Sequence, residues 1–149
     1  MNTLGVVTTP ARTPERKSAF TRADLRGRTT VFVFYPFAFS PVCTDQLSVY
    51  NELLGDFQAQ GATLYGVSCD AHYSQSAFKR ALGIEIEQLS DFEPKGATCA
   101  AFGVLHPEGC PQRALVLIAP DGIVHWSYQA PSLGELPGAN LIFDALDGR

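Results

Sequence analysis

The stretch Thr30-Val31-Phe32-Val33-Phe34-Tyr35-Pro36-Phe37-Ala38-Phe39-Ser40-Pro41-Val42-Cys43-Thr44 decides the reading of this chain. Its first six residues are an unbroken β-branched and aromatic run, the pattern of a strand buried on both faces in a largely parallel sheet. Beyond Cys43, the residues Leu47, Tyr50, Leu54 and Phe57 recur at three- and four-residue steps. They form one apolar helix stripe that ends before Gly61. A single cysteine therefore stands where a buried strand gives way to an amphipathic helix. A thiol at a helix N-terminus sits among unpaired backbone N–H groups at the positive end of the dipole, which stabilises its ionised form. That is where a nucleophilic thiolate can be made.

Working outward, Ala62-Thr63-Leu64-Tyr65-Gly66-Val67-Ser68 reads as a second buried strand and completes a right-handed β-helix-β unit with parallel strands. The next helix is expected over Ser74 to Leu82, with Ala77, Phe78, Ala81 and Leu82 facing inward and Gly83 as its stop. A shorter helix over Lys95 to Phe102 follows the Asp91-Phe92-Glu93-Pro94 turn. Two strand-like runs, Arg113 to Ile118 and Ile123 to Tyr128, flank Ala119-Pro120-Asp121-Gly122 and predict an antiparallel hairpin. A last helix is expected over Ala139 to Leu146, burying Leu141, Ile142, Ala145 and Leu146. On the N-terminal side, residues 1–28 contain two prolines and show no period, which reads as an irregular arm or weak hairpin. The order of elements is that of an α/β, thioredoxin-like three-layer sandwich, a central mixed sheet with helices on both faces.

With 149 residues, 46% hydrophobic and 17% charged, the chain fits a single domain with a substantial core. Its net charge of -4 and the absence of any Lys/Arg run argue against a nucleic-acid or anionic-membrane partner. No apolar run is long enough to span a bilayer, and Met1 to Val7 lacks the pattern of a secretory signal, so the expected location is cytoplasmic. Four cysteines are too sparse for a disulfide scaffold, and reduced thiols are expected. None stands in a C-x-x-C pair and the histidines are scattered; a zinc cluster of Cys99, His106 and Cys110 is weighed and set aside, and no metal or cofactor is expected. Gly-x-Ser-x-Gly elbows and phosphate-cradling glycine loops are absent, which excludes serine hydrolases and nucleotide-dependent enzymes.

Where a dithiol oxidoreductase would open its helix with two cysteines, this chain reads Ser40-Pro41-Val42-Cys43. An intramolecular dithiol cannot form there, but a thiolate with a neighbouring O–H suits attack on an oxygen. At Pro36, Ser40 and Cys43 the chain resembles the peroxiredoxins, whose signature is Pro, three residues, Thr or Ser, two residues, Cys. The resemblance extends from about Asp24-Leu25-Arg26-Gly27 through Leu89-Ser90-Asp91-Phe92, Gly96, Phe102-Gly103-Val104 and Arg113 to the Pro120-Asp121-Gly122 hairpin. Tyr35 to Phe39 and Ser90 to Ala97 look most like the one-cysteine alkyl hydroperoxide reductase E type. The Thr8 to Pro14 opening and Glu93, where that subgroup often carries Trp, depart from it.

The resemblance implies a thiol-dependent peroxidase acting on hydrogen peroxide or organic hydroperoxides. Cys43 would be the peroxidatic cysteine, oxidised to a sulfenic acid. Ser40 would hydrogen-bond the thiolate and the peroxide, and Arg113 would stabilise the thiolate and polarise the O–O bond. The Val42 and Cys43 N–H groups would hold the peroxide, and Pro36 would keep water out. Gln46 stands where relatives often carry an arginine-orienting Glu, and an exposed helix position is the alternative. The family's resolving position is occupied by Ser48, which favours resolution by an external thiol or a thioredoxin-like reductant. Cys110, in Pro107-Glu108-Gly109-Cys110-Pro111, is the cysteine expected to be exposed and the internal candidate for resolution; Cys69 and Cys99 read as packing residues. A homodimer is implied by the family. The alternatives are a redox sensor or relay using the same Cys43 oxidation, and a thiol-disulfide oxidoreductase.

Overall fold

The computed structural model describes residues 22–92 and 94–148. Most of the expected N-terminal arm and Glu93 therefore lie outside the described residues; within the arm, Arg22–Leu25 forms a short 3-10 helix. Strands β1 (Thr29–Phe34), β2 (Ala62–Ser68), β3 (Glu87–Ser90), β4 (Ala114–Ile118) and β5 (Val124–Gln129) form one sheet in the order β3-β2-β1-β4-β5. Every residue of the central strand β1 is buried, as its unbroken apolar pattern requires. It pairs in parallel with β2 and antiparallel with β4, so the sheet is mixed.

Helices α1 (Pro41–Glu52), α2 (Leu54–Ala59), α3 (His72–Leu82), α4 (Ala97–Ala101) and α5 (Ala139–Asp147) cover the two faces unequally. On one face, Val31 and Val33 pack with Leu47, Tyr50, Phe57, Phe78, Ile142 and Leu146, so α1, α2, α3 and α5 all lie there. On the other, Phe32 and Phe34 pack with Leu25, Cys99 and Phe102, which places α4 and the 3-10 helix. The two-residue period of β1 sorts its valines from its phenylalanines. Among the described residues, no helix is long and apolar enough to cross a membrane.

Three expectations need correction. The single helix expected from Cys43 to Gly61 is two, broken at Leu53, which has φ -100° and ψ 5°. The stripe nevertheless survives, with Leu47, Tyr50, Leu54 and Phe57 all buried. In α3, Ala81 is exposed and the inward face carries Gln75, Ser76 and Phe78. Gln75 is held there because its amide donates to Ser68 Oγ at 2.9 Å and Leu89 O at 2.8 Å. The strand β3 was not anticipated, because Glu87-Gln88-Leu89-Ser90 offers one apolar residue; Gln88 is nonetheless fully buried. Tyr35 Oη donates to its Oε1 at 2.6 Å, and its amide donates to Ile86 O at 3.0 Å.

Gly66, opposite Gln88 in the β2–β3 pair, makes room for that side chain. A Cβ there would sit 2.6 Å from Gln88 Oε1. Gly66→Ala is expected to destabilise the fold by about 1–3 kcal/mol through overpacking, read as a lower urea midpoint at unchanged slope.

Candidate active site

The topology explains how residues 70 positions apart in sequence meet. Phe34, the last residue of β1, pairs with Ala114, the first of β4. Arg113 therefore lies beside the end of β1 from which the chain passes through Tyr35 to Ser40 into α1. Its Nη2 donates to Cys43 Sγ at 3.4 Å. Both are buried, Arg113 at 2% and Cys43 at 0% exposure. A guanidinium bonded to sulfur interacts more strongly with a thiolate than with a thiol.

The guanidinium is fixed on two other sides. Nη1 donates to Gln46 Oε1 at 2.6 Å, and Nε donates to Leu133 O at 2.8 Å. Gln46 lies three residues beyond Cys43 on α1, fully buried, so it orients the arginine and the exposed alternative is excluded. Its amide donates to Tyr50 Oη at 3.3 Å, and that hydroxyl donates to Pro137 O at 2.5 Å. Burial, opposed by the Gln46 hydrogen bond and the Arg113 charge, pushes the Tyr50 phenol up to about 12, so it remains a neutral donor. Among the described residues, the partners of the Arg113 guanidinium are a backbone carbonyl, an amide oxygen and a sulfur. A buried cation is costly unless an anion lies near it, so the site suits an anionic group.

The loop entering α1 is strained and anchored. Phe39 adopts φ 70°, an uncommon conformation for a bulky residue. Asp70 holds the loop, its Oδ2 accepting from Ala38 N at 2.8 Å and from Ser68 Oγ at 2.7 Å. Pro36 is buried and Val42 half-buried. Ser40 occupies the N-cap, but its side chain makes no cap hydrogen bond. The bond to the Cys43 sulfur that the resemblance implies is not made either: Ser40 Oγ is buried without a partner among the described residues. An orphaned buried hydroxyl costs about 1–3 kcal/mol. With Pro at N1 lacking an N–H, the donors left free by helix geometry in the first turn are those of Val42 and Cys43.

The other cysteines are all free and buried. Cys110, expected to be exposed, has 0% exposure, and burial pushes its thiol up. The loop folds its flanks inward: His106 N donates to Cys110 O at 2.8 Å, and Leu105 and Pro111 form a bridge. Cys69 and Cys99 pack on the sheet face opposite Cys43. The residues that sequence reasoning missed are Tyr50, which reads only as part of an apolar stripe, and the carbonyls of Leu133 and Pro137, which carry no side-chain signal. Gln46→Leu is expected to slow iodoacetamide alkylation of Cys43 about tenfold, equivalent to about 1.4 kcal/mol. Tyr50→Phe, which keeps the Gln46 acceptor, should cost less, and an unchanged rate in Gln46→Leu would contradict the orienting role.

Comparison with known proteins converges on one family. Residues 9–127 match the AhpC/TSA family. Alkyl hydroperoxide reductase C of Amphibacillus xylanus is 33% identical over 108 residues, covering 70% of this chain and 57% of that protein. Peroxiredoxin 1 of Brugia malayi is 34% identical over 113 residues, covering 70% and 48%. The chain thus spans about half the length of these curated relatives. A solved structure of Xanthomonas campestris Peroxiredoxin Q superposes with a TM-score of 0.84 at 26% identity, covering 97% of this chain and 93% of that one. With its sheet order, its buried Cys43–Arg113 pair and a family match across most of its length, the chain belongs to the AhpC/TSA family and is a peroxiredoxin with the thioredoxin-like fold.

Proposed function

We propose that this chain is a thiol-dependent peroxidase that reduces hydroperoxides through Cys43. The observation that carries the reading is the buried Arg113 guanidinium, held by neutral acceptors and directed at the Cys43 sulfur. The Cys43 thiolate attacks the terminal oxygen of the hydroperoxide, and the S–O bond forms as the O–O bond breaks. The departing alkoxide or hydroxide takes up a proton and leaves as alcohol or water, and Cys43 becomes a sulfenic acid. Arg113 and the Val42 and Cys43 N–H groups hold the peroxide oxygens where charge develops, and Ser40 Oγ supplies the unused hydroxyl. Pro36, buried at the base of the loop, keeps water from the sulfur.

Resolution is assigned to an external thiol. That thiol attacks the sulfenic sulfur, releasing water and leaving a mixed disulfide, and a second thiol returns Cys43. Supporting this, Ser48 occupies the family's resolving position, Cys110 is enclosed in its loop, and the sheet separates Cys69 and Cys99 from Cys43. These features fit the one-cysteine alkyl hydroperoxide reductase E type. Assembly as a homodimer belongs to the same proposal, with sedimentation as its test.

Cys43→Ser is expected to abolish peroxide turnover with a small thiol, while Cys110→Ser leaves the first oxidation intact. Mass spectrometry after one equivalent of peroxide should find one added oxygen on Cys43. Loss of two hydrogens with Cys43 joined to another cysteine would overturn external resolution, and equal loss of activity in both variants would overturn the assignment of roles.

A further inference from the structure

On the far side of the sheet from Cys43, two more thiols lie together. Cys69 follows the last residue of β2, and Cys99 is the middle residue of α4. Their Sγ atoms and a carboxylate oxygen of Asp91 all lie within 4.8 Å of one another. The three are buried, Cys69 at 7%, Asp91 at 1% and Cys99 at 0% exposure. Asp91 fixes the cluster, because its two oxygens accept from Thr98 N at 3.0 Å and Cys99 N at 2.9 Å. Two thiols held this close need a modest approach to reach the bond length of a disulfide, about 2.05 Å. One partner is carried on a helix of five residues and the other on a bend directly after a strand.

The pair is also chemically unequal. The neighbouring Cys99 thiol holds the Cys69 thiol below its ordinary range, while Cys69 and burial raise that of Cys99. Cys69 is the one that ionises first, and it alone of the two has any exposure.

We propose that Cys69 and Cys99 are a second redox couple, independent of Cys43, which a small hydroperoxide converts to an intramolecular disulfide. The Cys69 thiolate attacks the peroxide, forming a sulfenic acid and releasing water or alcohol after proton uptake. The Cys99 sulfur then attacks the Cys69 sulfur, losing its proton, and the hydroxyl leaves as water. Two thiols and one hydroperoxide give one disulfide, one water and one further water or alcohol. The bond ties the end of β2 to α4 on the face that the peroxidase site does not use.

The test uses full-length Cys43→Ser, so that failure here is separate from failure of the Cys43 assignment. The protein is exposed to hydrogen peroxide, with N-acetylcysteine in the same tube as a gauge of dose, and digested without reductant. The expected result is loss of two hydrogens from the intact mass and a linked peptide pair carrying Cys69 and Cys99. Adding Cys99→Ser should stop the reaction at a Cys69 sulfenic acid trapped by dimedone. Adding Cys69→Ser should leave Cys99 reduced. The proposal is overturned if both thiols of Cys43→Ser alkylate after denaturation once N-acetylcysteine is exhausted. It is equally overturned if native mass spectrometry finds a metal ion on the pair that keeps both thiols reduced.

Discussion

A buried guanidinium with no carboxylate partner among the described residues is the constraint around which this site is organised. Arg113 is removed from water at the start of β4, and its partners are an amide oxygen, a backbone carbonyl and a sulfur. A cation so placed is costly unless something nearby carries negative charge, and the sulfur is the partner able to do so. The fold supplies the rest of the arrangement. The antiparallel pairing of β1 with β4 brings Arg113 to the end of the strand from which α1 starts, and α1 delivers both Cys43 and Gln46. The arginine sits directly before β4 and the sulfur in the first turn of α1, so the sheet brings the two elements together.

The neutral relay behind Arg113 has an electrostatic consequence. A glutamate at Gln46 would orient the guanidinium equally well but would also offset its charge. An amide orients it through Oε1 and leaves the positive charge to act on Cys43 and on whatever binds there. Tyr50 and the Pro137 carbonyl extend the relay to the segment before α5, so that the C-terminal segment steadies a side chain at the other end of the sequence. The sheet also partitions the thiols, with Cys43 in one core and Cys69 and Cys99 in the other.

Much of this was legible in the sequence where side-chain pattern alone decides structure. The apolar run of β1, the spacing of Leu47, Tyr50, Leu54 and Phe57, and the Pro120-Asp121-Gly122 turn each reflect a local period or a local conformation. What was not legible depends on contacts from elsewhere in the chain. Gln88 is buried in β3 because Tyr35 and Ile86 bond it, which no period within Glu87 to Ser90 reveals. Cys110 sits in a Pro- and Gly-containing loop that reads as surface, yet the Leu105–Pro111 bridge folds it inward. Ser40 has the residue type and position of a helix cap, but its hydroxyl is left unused. Pattern locates Cys43, and the family resemblance points to Arg113; neither shows what holds them together.

The most direct test of this account is the single-turnover rate at which Cys43 is oxidised by hydrogen peroxide in Arg113→Met, whose side chain keeps most of the buried volume without the charge. Removing one preorganised donor from a reacting centre costs about 10²–10³ in rate, and a loss of that size, with the fold intact, is the predicted result. Oxidation of Cys43 at the wild-type rate in Arg113→Met would contradict the claim that the buried guanidinium makes this sulfur reactive.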